Sequence, residues 1–139
     1  MKLLATAPLH WSAGYDDLLL AVRSLLDRGV PVSLRVEADG PARERFLFGV
    51  TDLGLEASVA LAEPSEDGTA LPPADVVVLA AVDDRPWPET VRAAPRAAAV
   101  AATDLPWVRR HLVRPGRALV LAPPRSPTSF AAALVDVGP

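Results

Sequence analysis

Asp75-Val76-Val77-Val78-Leu79-Ala80 holds, after its first residue, a short unbroken run of β-branched and apolar side chains, followed by Asp83-Asp84. A strand with one wet face alternates polar and apolar side chains. A run without alternation is buried on both faces, as in a parallel sheet covered by helices on each side. Parallel strands need long crossovers, so the sequence on either side of 75–80 should hold helices and further strands.

Toward the N-terminus it does. Lys2 to Ala7 reads as a buried strand ending at Pro8, and the loop His10-Trp11-Ser12-Ala13-Gly14 leads into a helix from about Tyr15 to Arg28. Leu18, Val22 and Leu25, with Leu19 and Leu26, recur at helical spacing. Gly29-Val30 then supplies a glycine stop followed by an apolar residue, which allows a left-handed turn at no steric cost. Pro31 opens a strand to Glu37 in which Val32, Leu34 and Val36 alternate. After Asp39-Gly40-Pro41 a second helix begins, with Pro41 expected at its first position and Phe46, Val50 and Leu53 on its apolar face. Gly54-Leu55 repeats the stop, and Ser58 to Leu61 is a short strand. The polar stretch Glu63 to Gly68, within a connection spanning 63–73, is expected to be the most mobile.

Toward the C-terminus, prolines break Arg85 to Pro95 into little more than one helical turn. A strand spans Ala98 to Ala102, and Asp104 is placed to cap a helix containing Trp107, Val108, His111 and Leu112. A last strand covers 118–122, and Ser126-Pro127 starts a final helix from Thr128 to Val137. The alternation gives one three-layer α/β/α domain, residues 1–139, on a mostly parallel six-stranded sheet. Repeat signatures are absent.

Composition narrows the function. A net charge of −3 argues against a general nucleic-acid binder. Without cysteine there is no disulfide framework or thiolate metal site, and no apolar run is long enough for a membrane span. The first residues read as a strand rather than a signal peptide, so cytoplasmic residence is the expectation. Thirteen arginines against the single Lys2, with much Ala and Pro, point to GC-rich coding and a bacterial source. Metal-ligand spacing, a P-loop and a serine-histidine-acid set are not found, so no cofactor, metal or catalytic residue is assigned.

Six stretches resemble, in order, the C-terminal, donor-nucleotide-binding Rossmann-like domain of the family 4 GT-B glycosyltransferases. Leu9 to Leu19 resembles G-R-L-x-W-x-K-G-Y-x-x-L-L, and Arg28 to Pro41 resembles R-G-V-x-V-x-L-x-I-x-G-D-G-P. Asp52 to Glu56 matches x-L-G-L-E, and Ala74 to Leu79 resembles A-D-V-x-V-L-P-S. Val100 to Pro106 resembles V-V-A-T-D-x-P, and Leu121 to Arg125 resembles L-V-P-P-R-D. The resemblance covers nearly the whole chain. It implies one half of a GT-B fold, with the acceptor-binding first domain absent. It also implies a cleft in which an Arg and a Lys after the first strand grip the donor diphosphate and an E-x7-E glutamate pair touches sugar and ribose.

The register implied by that resemblance puts the diphosphate Arg at Pro8 and the Lys at Ala13. The first glycine of the G-x-G turn falls at Ala38, and the glutamate pair at Asp84 and Arg92; a shift near Pro86-Trp87-Pro88 would bring in Glu89 instead. With His10, Gly14 and Gly40 these residues form the candidate degenerate nucleotide-sugar cleft. Charge-assisted hydrogen bonds contribute roughly 1.5–3 kcal/mol each, so losing two weakens a diphosphate by about two to four orders of magnitude. Arg92 cannot replace a carboxylate on ribose hydroxyls, because a guanidinium only donates.

The expected function is therefore a catalytically degenerate glycosyltransferase-like domain acting as a non-catalytic partner or scaffold. The alternative is the donor half of an enzyme completed by a separate N-terminal domain. A nucleotide-sugar bound weakly, and a homodimer or heteromer with a glycosyltransferase, are the expected partners. Simpler readings stand beside these. His10 is a surface loop histidine, His111 is partly buried on its helix, Asp83-Asp84 are solvated acids rather than a metal or sugar site, and the prolines around Trp87 are a docking surface only if that indole is exposed.

Overall fold

The computed structural model describes residues 1–64 and 73–139. Its six strands are β1 (Lys2–Ala5), β2 (Ser33–Glu37), β3 (Val59–Ala62), β4 (Val76–Leu79), β5 (Ala99–Thr103) and β6 (Ala118–Ala122). They form one sheet in the order β3-β2-β1-β4-β5-β6, with every pair parallel. The helices are α1 (Tyr15–Asp27), α2 (Arg43–Asp52), α3 (Pro88–Ala93), α4 (Pro106–His111) and α5 (Pro127–Val137). Strands are added outward from β1 on one side and from β4 on the other. Right-handed crossovers therefore place α1 and α2 on one face and α3 and α4 on the opposite face. α5 packs back onto α1, β5 and β6.

The unalternating run is buried as its composition requires, with Val76, Val77, Val78 and Leu79 at 0–1% exposure. The core is built from small and aliphatic side chains. Every residue of β5 is buried, and three of its five are alanine. Both glycine stops form. Gly29 has φ +79° and the Val30 N–H reaches Leu25 O at 3.0 Å; Gly54 has φ +66° and the Leu55 N–H reaches Val50 O at 2.8 Å.

Four local expectations need correction. β1 stops at Ala5 rather than Ala7, because the next backbone groups are taken by loops: Tyr15 donates its hydroxyl to Ala7 O, and the Leu9 N–H bonds Asp39 O at 3.0 Å. α2 starts at Arg43 rather than Pro41, because the Ala42 N–H is drawn to Leu9 O at 2.8 Å and residues 40–43 close a turn first. Trp87 is buried, at 3% exposure, which removes the docking surface proposed around it. His111 is exposed and stacks on Trp107, with ring centroids 4.5 Å apart. Of the 63–73 connection, residues 65–72 lie outside the described residues.

The cap of α4 also differs from the sequence reading. Asp104 turns outward to Arg109, at 2.6 and 2.9 Å, and the Trp107 N–H is instead met by Asp84 Oδ1 at 2.8 Å. An acid in the loop after β4 thus caps a helix that follows β5. Asp84→Ala should cost about 1 kcal/mol, the usual loss for a helix cap. Asp104→Ala, which removes an exposed pair, should cost less; urea unfolding of the two variants side by side checks the order.

Candidate functional site

In open α/β sheets ligands bind beyond the C-terminal strand ends, at the point where strand order reverses. Here that point lies between β1 and β4. The loop from Thr6 to Gly14 crosses it and is held firmly on both sides. Gly14, at φ +70°, lies so near the end of β4 that a Cβ would sit 1.8 Å from Ala80 O. Gly40, in the loop after β2, approaches Leu9 so closely that a Cβ would meet its carbonyl oxygen at 2.4 Å. The Val82 N–H adds a bond to Ser12 O at 2.9 Å. Within the loop, His10 Nδ1 accepts the Ser12 N–H at 3.2 Å and lies 2.7 Å from Ser12 Oγ, capping a 3-10 turn at Trp11–Ala13.

Two hollows flank this loop. On the α1 side, an open groove of about 450 Å³ runs past Trp11, Gly14, Asp16, Asp17, Arg45 and Arg125. It narrows beside His10, Tyr15 and Phe46. Trp11 is 60% exposed at its rim. On the α3 side, a hollow of about 100 Å³ is lined by Thr6, Glu37, Glu89, Arg92 and Arg96. Pockets that enclose a drug-sized ligand run roughly 300–1,000 Å³, so this second hollow is too small for a whole nucleotide.

Of the two arginines in the first groove, Arg45 is paired with an acid, whereas Arg125 forms no ion pair among the described residues and acts on Asp17 only at longer range. Arg45 grips Asp16 with Nε at 3.1 Å and Nη2 at 2.6 Å. Asp17 is held above the usual carboxylate range by burial first and then by Asp16, while Arg125 pulls it the other way. Both aspartates lie in the first turn of α1, where the helix dipole favours negative charge. An anion approaching Arg45 there would meet the protein's own carboxylates, Asp16 and Asp17.

The second hollow is organised by a buried ion pair. Glu37, at the end of β2, receives Arg96 Nη1 and Nη2 at 2.7 and 2.8 Å and Arg35 Nε at 2.8 Å. These bonds, Arg96 foremost, hold its carboxyl below the ordinary value despite burial. Thr6 donates to Glu89 O at 3.0 Å, tying the loop after β1 to α3. Burial raises the Tyr15 phenol, and the Glu89 carboxylate adds to that shift.

The nine candidate residues are spread across these features. His10 and Gly14 line the first groove, and Glu89 and Arg92 line the second hollow. Ala13 and Ala38 are buried at 3% exposure, and Pro8 is half-buried beside them. Gly40 serves backbone packing and Asp84 serves the α4 cap. Trp11, Arg45, Arg125, Glu37 and Arg96 were not anticipated as site residues. Trp11 and Arg125 sit inside the family-like stretches, whereas Arg45 and Arg96 meet partners 29 and 59 residues away.

Neither a family model nor a curated protein matches the sequence. Solved structures do match the fold. A glycosyltransferase from Rickettsia africae superposes with a TM-score of 0.75 at 14% identity, over 98% of this chain and 37% of that one. S. aureus TarM, crystallised with UDP and α-GlcNAc-glycerol, gives 0.81 at 12% identity, over 98% of this chain and 28% of its own. The C-terminal domain of a glycosyl transferase group 1 family protein (LpcC) from Francisella tularensis gives 0.71 at 17%, over 97% and 73%.

The fold is that of one Rossmann-like half of a GT-B glycosyltransferase.

This chain spans little more than a third of the Rickettsia enzyme, against nearly three-quarters of the isolated LpcC domain. Its agreement with the latter places the GT-B resemblance on the C-terminal half. Among the described residues, no helix is long and apolar enough to cross a membrane, and no group of acids and histidines could hold a metal ion.

Proposed function

We propose that this GT-B half, residues 1–139, is a catalytically degenerate glycosyltransferase C-terminal domain that serves as a non-catalytic partner or scaffold. The observation that carries this reading is the charge balance at the ligand edge. Pro8 and Ala13 stand where the resemblance calls for diphosphate-binding cations, and the nearby Arg45 is engaged by Asp16. A diphosphate entering the groove would have to displace that pair and sit beside Asp17. Transfer chemistry asks still more of such a site, because charge grows on the leaving phosphate in the transition state. Asp84, the residue at the first glutamate position, is committed to the α4 helix.

Calorimetry with UDP-, GDP- and ADP-glucose tests the reading. No saturable heat is expected up to millimolar ligand, and a micromolar dissociation constant for any of the three would refute it.

A second reading is favoured by Arg92, which lines the α3-side hollow together with Arg96. Arg92 would hold a donor phosphate once a separately encoded N-terminal domain closes the cleft. TarM's crystallisation with UDP makes a nucleotide-sugar the ligand class to try. That reading requires sugar transfer by a co-purified pair, and Arg92→Ala should reduce it at least tenfold if one charge-assisted contact is lost.

A further inference from the structure

Charge is unevenly spread along this chain. Residues 105–139 hold five arginines and one acid, whereas residues 1–104 hold nine basic and sixteen acidic side chains. Three of the five arginines gather where α4 meets β6. Arg110 is exposed in the last turn of α4. The helix closes with the Leu112 N–H on Val108 O, and Val113 and Arg114 then project outward, Val113 at 54% exposure. A turn through Gly116, at φ +77°, puts the Arg117 N–H 3.3 Å from Arg114 O and so returns Arg117 beside Arg114. Among the described residues, Arg110, Arg114 and Arg117 form no ion pair with a carboxylate. Asp104, the nearest acid along the chain, is engaged by Arg109. This corner lies at the N-terminal edge of the sheet, opposite the candidate cleft.

We propose that this corner docks onto an anionic phospholipid surface. Guanidinium groups bind phosphate through paired, planar hydrogen bonds and carry a weakly held hydration shell. An exposed valine set among them adds the second part of an interfacial anchor. The apolar side chain enters the boundary between headgroups and acyl chains, while the arginines extend their charged ends to the phosphates. A single-stranded nucleic acid would need a stacking platform, but Trp107, the aromatic residue at this corner, is buried and stacked against His111. An acidic protein partner would match the arginines and leave the exposed Val113 without a role.

Flotation of the full chain with vesicles decides the matter. Binding is expected to phosphatidylcholine vesicles containing about one-third phosphatidylglycerol, absent with phosphatidylcholine alone and lost in high salt. Each arginine near an anionic surface is worth about a fivefold change, so Arg110→Glu/Arg114→Glu/Arg117→Glu should weaken partitioning by a hundredfold or more. Val113→Ser should weaken it about tenfold, while Arg28→Glu, on an exposed site away from the corner, should not. Circular dichroism melting confirms that each variant is folded. The proposal fails if phosphatidylglycerol makes no difference or if the triple variant binds like the parent. It fails equally if Val113→Ser has no effect while polyuridylate or polyglutamate competes fully, which would make the corner a general polyanion site.

Discussion

Glu37→Ala is expected to destabilise the domain by about 3–5 kcal/mol, the usual cost of breaking a buried ion pair from one side. Glu37 is 3% exposed, and the Arg96 side chain that it receives through two parallel hydrogen bonds is 8% exposed. A carboxylate taken out of water is tolerable there because Arg96 and Arg35 both donate to it. Truncating the carboxylate leaves its share of that desolvation unrepaid and opens space beneath α3. For a domain of this size the loss should lower the melting temperature by roughly 10–15 °C.

The same pair sets an acid limit. The folded-state pKa of Glu37 lies below its ordinary value of 4.5, with the Arg96 hydrogen bonds as the largest cause. A carboxylate whose pKa is depressed by folding contributes its full stabilisation above the unfolded value and loses it as pH falls through the folded one. Stability should therefore be flat in this term down to about pH 4.5 and decline below it. Glu37→Gln keeps the shape and loses the charge, so it should be less stable at neutral pH and show a shallower acid decline. A parallel decline in both proteins, measured by urea midpoints between neutral pH and pH 3, would show that Glu37 is not the responsible group.

Gly14→Ala is the second substitution with a large expected effect, about 3 kcal/mol or more. Part of it is conformational, since φ +70° costs an L side chain about 1–2 kcal/mol. The larger part is steric. The new methyl would meet the Ala80 carbonyl at 1.8 Å, and neither backbone can retreat without breaking the bond from the Val82 N–H to Ser12 O. Gly29→Ala separates the two contributions, because Gly29 has a similar φ of +79° and nothing near its missing Cβ. Gly29→Ala should lose only the conformational part. Equal losses at the two sites, by thermal or urea unfolding, would show that close packing of the β1 loop on β4 contributes nothing.

The elements that local sequence specifies are the ones that could be read in advance. Val76 to Leu79 reads as a central strand because the run is short, three of its four residues are β-branched, and no alternation marks a wet face. Gly29-Val30 and Gly54-Leu55 had to end helices, because their signal lies within six residues of chain. Asp84 and Asp104 show where that legibility stops. Both are acids before a helix-like stretch, and adjacency favours Asp104, yet folding brings the loop after β4 against the start of α4 and the more distant acid makes the cap. Glu37 with Arg96 and Asp16 with Arg45 are likewise products of strand order. In the candidate cleft the register named Asp84 and Arg92, with Glu89 entering on a shift, and of these Glu89 and Arg92 line the α3-side hollow. It did not foresee that Arg45 in the groove on the other side would be paired with Asp16, because that pairing depends on how α1 lies against α2.

β1 joins β2 through four aligned residues but β4 through two, Leu3 with Val76 and Leu4 with Val77. Everything before that seam is continuous in sequence, and so is everything after it. The seam itself links residues more than seventy positions apart, so its formation closes the longest loop in the sheet. In native-state hydrogen exchange the amides of β1 and β4 should consequently report a common opening event, in which α5 leaves α1 as the two half-sheets part. The ligand edge lies on that boundary, so whatever binds there would staple the halves together and slow their separation.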